Sequence, residues 1–280
     1  MIANLVFPSA VEIAERRSGR RGADIFAGRP WALITRNLFA LRTTNALVFF
    51  SGFVEPVFYL LAFGFGLGNF VGRVGDAGGP SLSYAAYIAP ALLATSAMNG
   101  AIADSMWNVF FKMHFGKFYN AVMATSLGAL DTAAGEIGWA MIRGACYAVG
   151  FLCVVTPLHL VPSAWALLAI PAAALVAFGF ASAGMAITSY MRSMQQLNWV
   201  NFWLLPMFLF SGAFFPIDRY PWLLQQIIEA LPLWQAIAML RALMYGQMNA
   251  SLLGHVAYFL IFCVVGLYFT TRRLNELFLR

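Results

Sequence analysis

The chain has 280 residues, 61% of them hydrophobic and only 10% charged, with a net charge of +6 and a mean hydropathy of +0.76. A soluble domain carries about 25% charged residues, so this composition excludes an ordinary water-soluble fold. The apolar residues fall in blocks near the ~20 residues that cross a bilayer, and the basic residues sit between the blocks instead of forming a face among aromatics, which argues for membrane topology and against a nucleic-acid partner. The expected fold is an all-α polytopic membrane protein with six transmembrane helices, an N-terminal interfacial amphipathic helix and a re-entrant helical hairpin before the last span.

Residues 1–28 are polar and basic, with Arg16, Arg17, Arg20 and Arg21 following a weakly apolar start, and read as a flexible cytosolic arm, not a cleaved leader. Residues 29–280 read as one transmembrane domain. In 30–44, Trp31, Ile34, Leu38 and Leu41 recur at helical spacing with Arg29, Arg36 and Arg42 between them, as in a helix lying in the membrane interface. Spans are expected at about 46–67, 84–110, 137–156, 164–190, 197–215 and 255–271. The Gly-rich linker NFVGRVGDAGGPSLS after the first span cannot be helical throughout.

Residues 222–246, WLLQQIIEALPLWQAIAMLRALMYG, are long enough to cross but carry Glu229, Pro232 and Arg241. A mid-helix charge costs about 2.5–3.5 kcal/mol on insertion scales, so two short helices that dip in and return fit better. Six spans also place both termini on the side that collects most of the basic residues, the cytosolic one.

No phosphate-binding loop is present: GKF at Gly116–Phe118 lacks the upstream glycine and the hydroxyl residue such a loop needs. His114, His159 and His255 are scattered, and Cys146, Cys153 and Cys263 lie in apolar runs, so neither a metal site nor a disulfide is expected. What the chain does offer is charge at membrane depth, in Glu55 beside Pro56, Asp104, Glu136 and Arg143. Such residues face protein or a water-filled path. Glu136 and Arg143 are about two turns apart, ~10 Å, which disfavours a direct pair. Between the second and third spans FGKFYNAVMATSLG is read as exposing Phe118, Tyr119, Val122 and Met123, either to a partner groove or to the membrane surface.

Several segments, taken together, resemble the permease subunit of type-2 ABC exporters, in particular the branch that exports nodulation-factor lipo-oligosaccharides. They are EPVFYLLAFGFGLGNFVGRV from Glu55, YIAPALLATSAMNGA from Tyr87, GEIGWA from Gly135, and SGAFFPIDRYPWLLQQIIEALPLWQAIAMLRALMYG from Ser211. The resemblance runs from about Trp31 to the end of the chain. It implies a permease of the bacterial plasma membrane that pairs with a second copy of itself and with two separate ATPase subunits, which hold ATP and Mg; no cofactor is expected on this chain. It further implies that 30–44 and about 115–130 meet the ATPase, through Trp31, Arg36, Phe118, Tyr119 and Met123. Candidates for the substrate path or gate are Glu55, Asp104, Arg143, Phe214 and Phe215. Ser211, Gly212, Pro216, Asp218 and Pro221 are expected to form an outer-gate turn. Two other classes remain open on sequence: an ion-coupled secondary transporter, and an intramembrane lipid or sugar transferase built on Glu55, Asp104 and Glu136.

Overall fold

In the computed structural model the residues described are 28–43, 46–74, 82–125 and 127–278. The basic arm up to residue 27 and the linker at 75–81 lie outside them. Among the described residues nine principal helices follow in order: α1 Trp31–Thr43, α2 Ala46–Tyr59, α3 Tyr84–Ile102, α4 Ala129–Val155, α5 Ala169–Tyr190, α6 Met194–Leu209, α7 Trp222–Ala230, α8 Pro232–Tyr245 and α9 Ala250–Phe278. A π-helical stretch, Leu60–Leu67, and the short Gly68–Val71 prolong α2. Likewise α3 runs on through a π-helical Ala103–Asn108 and the helix Val109–His114. Two short strands, Arg73–Val74 and Leu82–Ser83, pair antiparallel between these helices.

Among the described residues five helical segments are long and apolar enough to cross a bilayer: Val54–Val71, Tyr84–His114, Ala129–Val155, Ala164–Tyr190 and Ala250–Phe278. The pair α7 and α8, bent by 82° at Leu231, would make a sixth if taken as one span. Pro232 opens α8, where its missing N–H costs no helix bond, and Leu231 is extended, as a residue before proline prefers. The bend of the expected hairpin thus falls at the proline that the sequence flags. The expected fifth span at 197–215 is helical only over Met194–Leu209, because Ser211 turns its hydroxyl back onto the Phe208 carbonyl (2.7 Å) and Gly212 takes φ +71°, ending the helix. The third span begins earlier than expected, at Ala129, since the Asp131 carboxylate accepts from the Gly128 N–H (3.0 Å) and caps the helix there.

The α3 segment is the hub: nearly every residue from Tyr84 to Met98 is buried, against α2, α4, α5 and α8. Close approach is set by small residues, as expected where no hydrophobic force drives helices together in lipid. A Cβ at Gly144 of α4 would overlap that of Ala177 in α5. At Gly135 a Cβ would sit 2.8 Å from both the Leu33 Cβ and the Pro30 carbonyl, so α1 lies directly on the α4 backbone.

Prolines inside the spans create a second kind of contact. Pro56 has no N–H for the carbonyl four residues back, that of Gly52, and the Ser96 hydroxyl of α3 donates to it instead (3.0 Å). Pro90 similarly frees the Ala86 carbonyl, which accepts from the Tyr245 hydroxyl of α8. Each proline therefore binds its helix to a neighbour. Ser96→Ala is expected to lower the stability of the purified protein by about 1–3 kcal/mol, the cost of an unpaired buried acceptor, read as a drop in thermal midpoint in detergent. In a Pro56→Ala background the N–H returns, and the same substitution should cost markedly less. Equal losses in both backgrounds would refute the account.

Candidate functional site: a charged cluster at span depth

Asp104 lies in the π-helical turn that prolongs α3, and its side chain is nearly closed to solvent at 7% exposure. Its Oδ1 accepts from the Arg143 guanidinium of α4 and from Asn108 Nδ2 (2.7 Å). Arg143 Nε also donates to the Tyr147 hydroxyl (2.6 Å). Oδ2 of Asp104 has no hydrogen-bond partner among the described residues. The pair answers the cost of charge in the span: each ion is held by the other and by a polar neighbour.

About two turns further along the same helix face, Lys112 Nζ meets both oxygens of Glu136, at 2.8 and 2.6 Å. Asn37 of α1 reaches Glu136 Oε2 (3.5 Å), and Arg36 Nη1 donates to Asn37 Oδ1 (3.2 Å). Glu136 and Arg143 thus take separate partners, as their spacing on α4 suggests. All of these but Tyr147 line a cavity of about 480 Å³ between α1, the α3 extension, α4 and α5, with Trp107 and Trp139 in its walls. A second cavity, about 240 Å³, lies between α2, α3 and α4 and holds Glu55, Asn99 and Tyr147. Ala103 and Arg143 line both. Glu55, expected near mid-span beside Pro56, is exposed into this second cavity, with no ion pair among the described residues. Arg143 therefore stands between the two cavities, with Asp104 in the first and Glu55 in the second. Phe214 stands apart, packed edge-to-face on Phe63 (5.5 Å) and Phe208 (5.2 Å), and Phe215 is exposed.

At the α1 end of the molecule Trp31 is 68% exposed and Leu38 and Phe39 are exposed beside it. Arg36 stacks its guanidinium 4.0 Å over the Phe118 ring. The short helix Phe118–Met123 overturns one expectation: Tyr119, Val122 and Met123 are buried and Phe118 is half-buried, so they are not a display surface. The cause is α9, which runs on to Phe278 and lays that ring 6.1 Å from Tyr119. Burial, and then the nearby Glu136 carboxylate, push the Tyr119 phenol well above its usual pKa, keeping it neutral. The exposed aromatics here are instead Phe111 and Phe115.

At the opposite end, the Gly212 carbonyl accepts from the Tyr87 hydroxyl (3.3 Å) and from Arg241 Nη2 (3.2 Å), while the Arg241 guanidinium rests 4.3 Å over the Tyr87 ring. Ser211 and Gly212 are buried, Pro216 precedes the 3₁₀ turn Ile217–Arg219, Asp218 is exposed, and Pro221 stands just before α7. Pattern reasoning treats Arg241 only as a charge that α8 must accommodate; its partners, Tyr87 and Gly212, are too distant in sequence to be anticipated. Asp131 was equally hidden: besides capping α4, it accepts from the Arg29 N–H (2.8 Å), tying the start of α1 to α4. Its signal was the Gly-x-x-Asp spacing of a helix N-terminus.

Paired charges at span depth, proline-linked helices and a bent hairpin before the last long helix define a multi-pass helical membrane protein. The chain belongs to the ABC-2 type transporter family, whose profile matches residues 30–245. It is similar to nodulation protein J of Rhizobium leguminosarum bv. viciae, at 31% identity over 255 residues, covering 90% of this chain and 96% of that one. The bv. trifolii protein of the same name is 31% identical over 250 residues, with 89% and 94% covered. That of Sinorhizobium fredii is 28% identical over 250 residues, with 88% and 94% covered.

Arg143→Met strands the Asp104 carboxylate and is expected to cost about 3–5 kcal/mol, read as loss of monodisperse protein on heating in detergent. The double variant Asp104→Asn with Arg143→Met should recover most of that loss. A double variant as unstable as the single one would show that the two side chains do not act as a pair.

Proposed function

We propose that this chain is the transmembrane permease subunit of an ATP-driven exporter. Its cargo is an amphipathic glycolipid, a lipo-oligosaccharide or polysaccharide, or a drug-like molecule leaving the cytoplasm. Two copies pair in the bacterial plasma membrane, each with a separate ATPase subunit that binds ATP and Mg, and both termini face the cytosol. The observation that carries this reading is the ABC-2 family match over 30–245, joined by resemblance to nodulation protein J over about nine-tenths of the chain.

Force from the ATPase enters through α1, where Trp31 and Arg36 face outward, and through the neighbouring Phe111 and Phe115. Phe118, Tyr119 and Met123 act behind that surface, bracing the short helix against α1 and α9. Because α1 lies on the α4 backbone at Gly135, a push on it moves α4 and strains the Lys112–Glu136 and Asp104–Arg143 pairs. The turn formed by Ser211, Gly212, Pro216, Asp218 and Pro221, latched by Arg241 and Tyr87, yields at the outer side.

The test is reconstitution of the chain with its ATPase in vesicles. Cargo-stimulated ATP hydrolysis and ATP-dependent export are expected; neither appearing across a panel of glycolipids, lipo-oligosaccharides and drugs would overturn the reading. Orientation has its own test: a cysteine at Asp218 should react with an impermeant thiol reagent added outside intact cells. Reaction only after the cytosolic side is opened would reverse the topology.

A further inference from the structure

The short helix Phe118–Met123 is held from two sides. On one side the Arg36 guanidinium of α1 covers the Phe118 ring; on the other the end of α9 lays Phe278 against the fully buried Tyr119. The Tyr119 hydroxyl has no hydrogen-bond partner among the described residues, so ring packing is what joins it to α9. Lys117 enters the helix at φ +45°, a left-handed conformation that a residue with a Cβ keeps only where its surroundings impose it. The short helix is thus posed firmly against α9.

α9 is built to carry that contact a long way. It runs unbroken from Ala250 to Phe278 and contains no proline, unlike α2 and α3. Small residues key it to α5: a Cβ at Gly266 would lie 2.8 Å from the Ser182 backbone, and one at Gly179 of α5 would lie 2.9 Å from the Phe259 ring. Thr270 donates to the Ser182 carbonyl (3.2 Å) and Arg273 Nε to that of Ser189 (3.4 Å), its guanidinium resting 4.7 Å over the Tyr190 ring. About 30 Å along α9 from Phe278, the Tyr258 hydroxyl donates to the Ala230 carbonyl (3.0 Å), at the end of α7, where the break at Leu231 removes its helical donor. Gln235 Nε2 donates to the Glu229 carbonyl (2.7 Å), which leaves its Oε1 to accept from His255 Nδ1, about one turn before Tyr258. One end of α9 therefore holds the short helix and the other holds the bend of the α7–α8 hairpin, all within a single chain.

We propose that α9 is a transmission rod, with Phe278 and Tyr258 as the positioning residues at its two ends. The short helix, pressed by the ATPase, shifts Phe278; α9 moves with α5 as one keyed unit; and Tyr258 tips the α7–α8 bend. This route bypasses the charged pairs of α3 and α4 and works beside them. Its part in transport rests on the exporter reading; the mechanical link between the two ends does not.

The first measurement needs no cargo. Coupling between two sites is reciprocal, so loosening either end of the rod loosens the other. In hydrogen–deuterium exchange on the full chain in lipid nanodiscs, Phe278→Ala is expected to speed exchange across 229–235 by about fivefold or more, and Tyr258→Phe to do the same across 118–123. Unchanged exchange at the remote end in both variants would overturn the rod. The second measurement adds the ATPase in vesicles and reads cargo exported per ATP hydrolysed. Phe278→Ala and Tyr258→Phe should each lower that ratio by about fivefold or more, whereas Phe278→Tyr, which keeps the ring, should match the wild type. A wild-type ratio in both loosened variants, including one reached by a parallel fall of export and hydrolysis, would refute the proposal. Should Phe278→Ala fail to assemble, Tyr258→Phe, which removes only a hydroxyl, decides both measurements. Wild-type protein that exports nothing would count against the exporter reading, and the exchange data would still decide whether α9 links the two ends.

Discussion

In a bilayer a backbone carbonyl has no water to turn to, and that constraint orders much of this chain. Pro56 and Pro90 each remove a donor from their helix, and at each a hydroxyl from another helix replaces it. Ser96 serves the carbonyl freed by Pro56, and Tyr245 the one freed by Pro90. The rule extends to the turn after α6, where the carbonyl of Gly212 takes donors from Tyr87 and Arg241. Helix breaks that would be defects in isolation thus become the sites where α2, α3, α6 and α8 are joined. The same rule governs charge: Asp104 and Arg143, or Lys112 and Glu136, are affordable at span depth only as pairs.

This arrangement couples the two ends of the molecule. At one end α1 rests on α4 at Gly135, and Asn37 enters the Lys112–Glu136 pair. Arg143 of α4 then holds Asp104 on the α3 extension, and α3 carries Tyr87 to the Gly212 latch at the other end. From α1 to the Gly212 turn the bonded groups lie on only two helices, α4 and α3.

Much of the fold is legible in the sequence because the signals are local. Block length marks the long helices, Pro232 marks the bend between α7 and α8, and Arg36 among apolar residues marks α1. Where the reading slips, the cause is a contact made across the chain. The helix after Met194 stops at Leu209 because of a Ser-Gly turn held from α3 and α8, although the apolar run continues to Phe215. Tyr119 and Met123 look like display residues in their own segment and are buried by the far end of α9. For the site, residue type alone singles out Glu55, Asp104 and Arg143, since charge in an apolar block is conspicuous. Asn108 and Tyr147, each one turn along the same helix from Asp104 and Arg143, are ordinary residues until the ion pair between those helices places them beside it.

The early stop of α6 affects the membrane as well as the protein. Its sixteen residues make a helix about 24 Å long, shorter than the ~30 Å of a typical hydrocarbon core. Its outer surface is aromatic, with Trp199, Phe202 and Trp203 exposed. Indole rings favour the headgroup level, and lipid is drawn thinner beside a helix shorter than its core. A bilayer dimpled at this flank is a lower barrier to any polar group travelling next to it. On this view the protein reshapes its solvent, and α6, too short to cross alone, is the part that does so.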